Sequence, residues 1–175
     1  MLPEGIAIML DTVWPTITPQ TRDELISQCV RNLKNDPENY EQFSTIVAAI
    51  TKSRRETVKS QWRLGNYYGT KLALARDPDK ASPALTMTFM AMRKDDVTAL
   101  YEALGVAHKD LAVEESAITV TPPTEEKFAA VLKNGLTGIS PEIVRCMVAV
   151  IADAGITEWQ GAARGALSAH MKDFR

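Results

Sequence analysis

The chain has 175 residues, of which 45% are hydrophobic and 24% charged, with a net charge of −2. That balance excludes a disordered polyelectrolyte, and it argues against bulk nucleic-acid affinity, so any polyanion site has to be local. A single globule of this length buries about 70% of its unfolded surface, enough for a core of its own.

No stretch approaches the roughly 18 apolar residues that mark a membrane helix, so no membrane contact is expected. Met1–Leu10 carries Pro3 and Glu4 where a secretory leader has a basic region, so none is expected. The two cysteines, Cys29 and Cys146, lie inside apolar helical patterns. Buried free thiols, and with them a reducing, cytoplasmic setting, follow.

Met1–Trp14 reads as a short apolar segment, suited to docking as a helical turn or to lying across a neighbouring subunit. Thr18-Pro19 opens a helix whose buried face is Leu25, Ile26, Cys29, Val30 and Leu33. Asn35 and Asp36 end it, and Asp36-Pro37-Glu38 starts the next.

That next stretch dominates the chain. Between Thr51 and Arg76 stand seven bases (Lys52, Arg54, Arg55, Lys59, Arg63, Lys71, Arg76) and one acid, Glu56. The segment is therefore +6 within a chain of −2, leaving −8 elsewhere. Read as one continuous helix, it places Lys52, Arg55, Lys59 and Arg63 in an arc of roughly 80°. Phe43, Val47, Ile50 and Val58 then form the opposite, apolar seam, with Arg54 on the apolar side. Cations at this spacing repel one another unless acids are interleaved, and only Glu56 intervenes. An uncompensated stripe of this kind has the form of a phosphate site. Trp62 and Tyr67 are candidates to stack on unpaired bases, although Trp62 and Tyr68 lie near the apolar arc and also fit a core. Gly65-Asn66-Tyr67-Tyr68-Gly69 fits either a close-packing face or a helix break.

Asp77-Pro78 is a turn, and the segment from Ala84 to Met92 is apolar nearly all round, as a central core helix is. Asp95-Asp96 starts a helix over Val97–Leu104 that Gly105 stops. Val106–Glu115 reads as loop with at most one short helix. Ala117–Thr121 has β character but no partner strand, and Pro122-Pro123 follows, which makes 117–123 the expected linker. Three well-punctuated helices come after it: from Thr124 to Gly135, from Ser140 to Gly155, and from Thr157 onward with Trp159, Ala163, Ala166, Leu167, His170 and Met171 inward.

The expected fold is all-α, a bundle of about six to eight helices with a small C-terminal three-helix unit. The expected divisions are 1–116, the linker 117–123, and 124–175. No zinc, nucleotide, hydrolase or redox motif is present, and His108 and His170 have no local partner spacing. Neither cofactor nor metal is expected, and no catalytic residue.

The function that follows is a non-catalytic, nucleic-acid-associated helical protein, a nucleocapsid-type coat subunit or a small subunit of a ribonucleoprotein complex. Lys52, Arg55, Lys59 and Arg63 would meet phosphates, and Trp62 or Tyr67 a base. The alternative is a helical adaptor or assembly subunit with no nucleic-acid contact. In that case the basic face meets an acidic protein surface, such as the eight acids between Asp95 and Glu126 in another copy.

Overall fold

The computed structural model describes residues 9–78, 80–81 and 93–174. These contain ten α-helices and one two-strand hairpin, so the fold is all-α. Eight of the helices have nine residues or more: α2 (Pro19–Leu33), α3 (Pro37–Thr51), α4 (Arg55–Arg63), α5 (Tyr68–Arg76), α6 (Lys94–Leu104), α8 (Glu125–Asn134), α9 (Pro141–Ala154) and α10 (Thr157–Met171). The two short ones are α1 (Met9–Val13) and α7 (Ser116–Thr119). The apolar helix expected over 84–92 lies outside the described residues, as do residues 1–8.

Several helix starts use the side chains that the sequence offers. Thr18, Asp36, Thr124 and Ser140 each accept a bond from a backbone N–H of the first turn that follows. Such caps satisfy donors that the helix itself leaves open.

The described residues fall into two compact units, residues 9–17 with 93–174, and residues 18–78 with 80–81. In the second unit α3 is the centre, touching α2, α4 and α5. Its core holds Leu25, Ile26, Cys29, Leu33, Phe43, Val47, Val58, Trp62 and Leu74.

In the first unit α9 is buried along an unbroken run from Ile143 to Ala152. Helix α10 packs on α8 and α9, α1 packs on α9, and α6 packs on α8. The C-terminal three-helix unit is therefore present, and it shares its core with α1 and α6. Asp153 fastens α1: its carboxylate accepts the Met9 N–H at 2.8 Å and the Leu10 N–H at 3.0 Å, and takes Arg164 Nη2 at 3.1 Å. Burial pushes the Asp153 carboxyl above its usual range, against the opposing pull of those N–H groups and of Arg164.

The segment 117–123 does not part the chain. Residues 116–119 form α7, Ala117 is buried, and its carbonyl accepts the Trp159 indole N–H at 3.1 Å. The β character of the expected linker does not decide its structure, since local propensity is weak beside tertiary packing on Trp159. Upstream, the expected loop holds a hairpin, His108–Lys109 against Ala112–Val113. Its turn residues Asp110 and Leu111 both have positive φ, 49° and 68°. That is the requirement of a tight two-residue hairpin turn, and it is hidden from sequence when the second residue is Leu instead of Gly.

Candidate nucleic-acid interface

The basic stretch is not one helix. Helix α3 ends at Thr51, and Lys52 takes the left-handed conformation, φ 55° and ψ 39°. The Ser53 N–H bonds back to the Ala48 carbonyl at 3.0 Å and the Lys52 N–H to the Ala49 carbonyl at 3.4 Å. This pair of bonds is the Schellman motif, which normally carries Gly at the left-handed position. Thr51 Oγ1 lies 2.7 Å from the Val47 carbonyl and 2.7 Å from Ser53 Oγ, adding side-chain bonds across the same corner. Arg54 is extended, and α4 starts at Arg55. Angular counting across residues 52–54 therefore fails, and the four-cation stripe is divided. The pattern Ser53-Arg54-Arg55-Glu56 has the Ser-x-x-Glu spacing of a helix start. The cap itself is Arg54, however, with no side-chain cap bond, and Ser53 Oγ instead faces Thr51 Oγ1.

The two halves of the expected stripe differ in their partners. Arg55 Nη1 lies 3.3 Å from Glu41 Oε2, and Lys59 Nζ pairs with Glu41 and, at 3.5 Å, with Glu56. Two acids therefore offset these cations: Glu41 from α3, a helix away, and the interleaved Glu56, which also lies 3.7 Å from Arg55 Nε. The hydrogen bond from Lys59 is the largest influence holding the Glu41 carboxyl below its usual range, and the same bond raises the Lys59 ammonium. The Lys59 side chain keeps only 12% of its surface exposed. By contrast, Lys52 and Arg54 are exposed and make no ion pair among the described residues. Arg63 is exposed, with Nη2 3.0 Å from Ser60 Oγ.

The aromatic assignments also change. Trp62 is 2% exposed, donates its indole N–H to Thr70 Oγ1 at 2.8 Å, and meets Tyr40 edge-on and Phe43 face-on. A ring so placed belongs to the core and offers no face to a base. Tyr67 is half-buried, and its hydroxyl takes the Ser27 hydroxyl at 3.5 Å. Tyr68, expected near the core, is instead 70% exposed, and Leu64 is 85% exposed. The cause is the break at Gly65 (φ 72°), which ends α4 and restarts the helical phase at Tyr68. Arg54 and Tyr68 are the two residues of this corner that an unbroken helix misplaces.

Elsewhere in the same unit an open groove of about 500 Å³ is lined by Thr45, Ile46, Ala49, Ile50, Arg76, Asp77 and Lys80. Lys80 pairs with Asp77 at 3.5 Å. Among the described residues no group of three His, Cys, Asp or Glu converges on a common point. Both cysteines are buried and neither is in a disulfide, and burial pushes the Cys146 thiol up to about 12. His108 Nδ1 accepts the Leu111 N–H at 3.3 Å, which gives that ring a structural role in the hairpin. His170 is half-buried beside Phe174; burial, then the charge of Arg145, lowers its pKa. No described helix is long and apolar enough to cross a membrane. No protein-family model, no curated protein and no solved structure matches this chain.

Proposed function

We propose that this chain is a non-catalytic, nucleic-acid-associated helical protein that engages phosphates without reading sequence. It would serve as a coat-type subunit or as the small helical subunit of a ribonucleoprotein particle, in a reducing, cytoplasmic setting. The cations that meet phosphate are Lys52, Arg54 and Arg63, while Glu41 holds Arg55 and Lys59 partly neutralised.

The observation that carries this reading is Lys52. A lysine occupies a left-handed helix-terminal position where Gly is less strained, and its side chain makes no ion pair among the described residues. An outlier of backbone conformation at an exposed charge points to use by a ligand. Arg54, two residues on, projects from the same corner.

The test is fluorescence anisotropy with a labelled oligodeoxythymidylate across a salt series. Wild type is expected to bind at low salt and weaken steeply as salt rises. The double variant Lys52→Glu, Arg54→Glu should reduce the slope of log affinity on log salt by about 1.4, two single-strand phosphate contacts at about 0.7 each. Unchanged affinity in that variant, with unchanged thermal stability, would sink the assignment.

One observation favours the adaptor reading, the distribution of charge. Residues 18–92 hold eleven bases and eight acids, net +3, while the remainder holds nine bases and fourteen acids, net −5. Opposed patches of this kind support head-to-tail association of copies. Salt-sensitive self-association of nuclease-treated protein, without oligonucleotide binding, is its signature.

A further inference from the structure

We infer that Tyr68 is a base-stacking platform, and that the site therefore prefers single-stranded nucleic acid to duplex. This rests on the phosphate-binding reading above and names its ligand class.

Four observations converge. The Tyr68 ring is 70% exposed, and its hydroxyl makes no hydrogen bond among the described residues. Its backbone is fixed: the Tyr68 N–H donates to Asn66 Oδ1 at 3.1 Å, and the Asn66 N–H donates to the Gln61 carbonyl at 2.8 Å. The next residue, Gly69, lies close to two other helices: a Cβ added there would be in ordinary contact with Gln61 Oε1 at 3.5 Å and Thr51 Cγ2 at 4.0 Å. The first turn of α5 thus abuts the last residue of α3, and Tyr68 neighbours the corner that carries Lys52 and Arg54. Leu64, 85% exposed, supplies a further apolar surface at the end of α4.

An exposed ring on a fixed backbone, in the same unit as two exposed cations with no ion pair among the described residues, combines the parts that single-strand binders use, a charge for the backbone and a π face for a base. Duplex bases are already stacked inside the helix, so a surface tyrosine gains nothing from them. The exposed charges of Lys52 and Arg54, which have no ion pair among the described residues, decide against a wholly apolar protein partner for this patch, since such a partner would strand them.

The experiment compares affinity for labelled oligodeoxythymidylate with affinity for a labelled DNA duplex, in wild type, Tyr68→Ala, Tyr68→Phe and Lys52→Glu/Arg54→Glu. Tyr68→Ala should weaken single-strand binding about tenfold, leave duplex binding and melting temperature unchanged, and be rescued by Tyr68→Phe. Equal effects on both ligands, or none on either, overturn the stacking role. If the charge variant still weakens both ligands in that case, the phosphate reading stands alone. Wild type that binds neither ligand overturns both. Loss of self-association in Tyr68→Ala, with nucleic-acid affinity unchanged, assigns the patch to a protein contact and overturns the inference too.

Discussion

The two units handle charge in opposite ways. In the unit built on α9, charged groups near the core have structural work: Asp153 caps α1 and pairs with Arg164, and the Arg145 guanidinium lies 4.6 Å from the centre of the Phe174 ring. In the unit built on α3, Arg55 and Lys59 are neutralised by Glu41, yet Lys52 and Arg54 stand beside them with no ion pair among the described residues. Local sequence looks alike in these cases, a base or an acid on a helix. Burial and the presence of a partner tell them apart. A buried charge with a partner reports on stability; an exposed charge at positive φ can serve a turn, as Asp110 does in the hairpin, and at Lys52 it is the proposed ligand site.

The contrast breaks most readily at Asp153. Asp153→Ala removes the acceptor for two backbone N–H groups of α1 and leaves Arg164 without its carboxylate. The expected cost is about 2–4 kcal/mol, read as a lower urea midpoint with an unchanged slope. Oligonucleotide affinity should not move. A cost below about 0.5 kcal/mol would place Asp153 with ordinary surface residues and dissolve the distinction.

Lys52→Gly sharpens the same contrast from the other side. Glycine relieves the left-handed strain and should stabilise the protein by about 0.5–1 kcal/mol. It also removes one phosphate contact, lowering the salt slope by about 0.7. Stability rising while binding falls is the behaviour of a residue whose side chain serves a ligand at the expense of the fold. If thermal stability rises with no loss of binding, Lys52 is merely a poor cap.

Helix identity was legible wherever punctuation and period agreed. Thr18-Pro19, Asp36-Pro37, Thr124 and Ser140 were all readable starts, and the apolar periods of α2 and, His170 apart, of α10 gave their buried faces, whereas α9 is buried all round. Legibility stopped where the backbone took positive φ without Gly, at Lys52, Asp110 and Leu111. One such residue was enough to change the candidate site. The break at Lys52 ended the phase that had aligned Lys52 with Lys59, and the restart at Tyr68 turned that ring outward. The pairing of Arg55 and Lys59 was hidden for a different reason. Glu41 is a full helix earlier, and its approach depends on how α4 folds back on α3, which no local pattern encodes.

Glu41 gives the smallest of the three effects and the most direct reading of how the site is set. Glu41→Gln keeps the shape of the side chain and removes the charge that holds Arg55 and Lys59. Among the described residues both cations then keep only Glu56 as a partner, and affinity for oligodeoxythymidylate at low salt should rise about two- to fivefold, with a steeper salt dependence. The pH dependence has a definite sign. The folded-state pKa of Glu41 lies below its ordinary 4.5, so the unfolded chain binds the proton first as pH falls. Whatever stability the Glu41 pair contributes is therefore present above about pH 4.5 and lost as pH falls through the lower folded value. Wild type and Glu41→Gln should differ in melting temperature near neutral pH and converge on acidification. An affinity that stays flat in Glu41→Gln would mean that Arg55 and Lys59 face away from the ligand. The phosphate path would then run from Lys52 and Arg54 toward Tyr68, and not along α4.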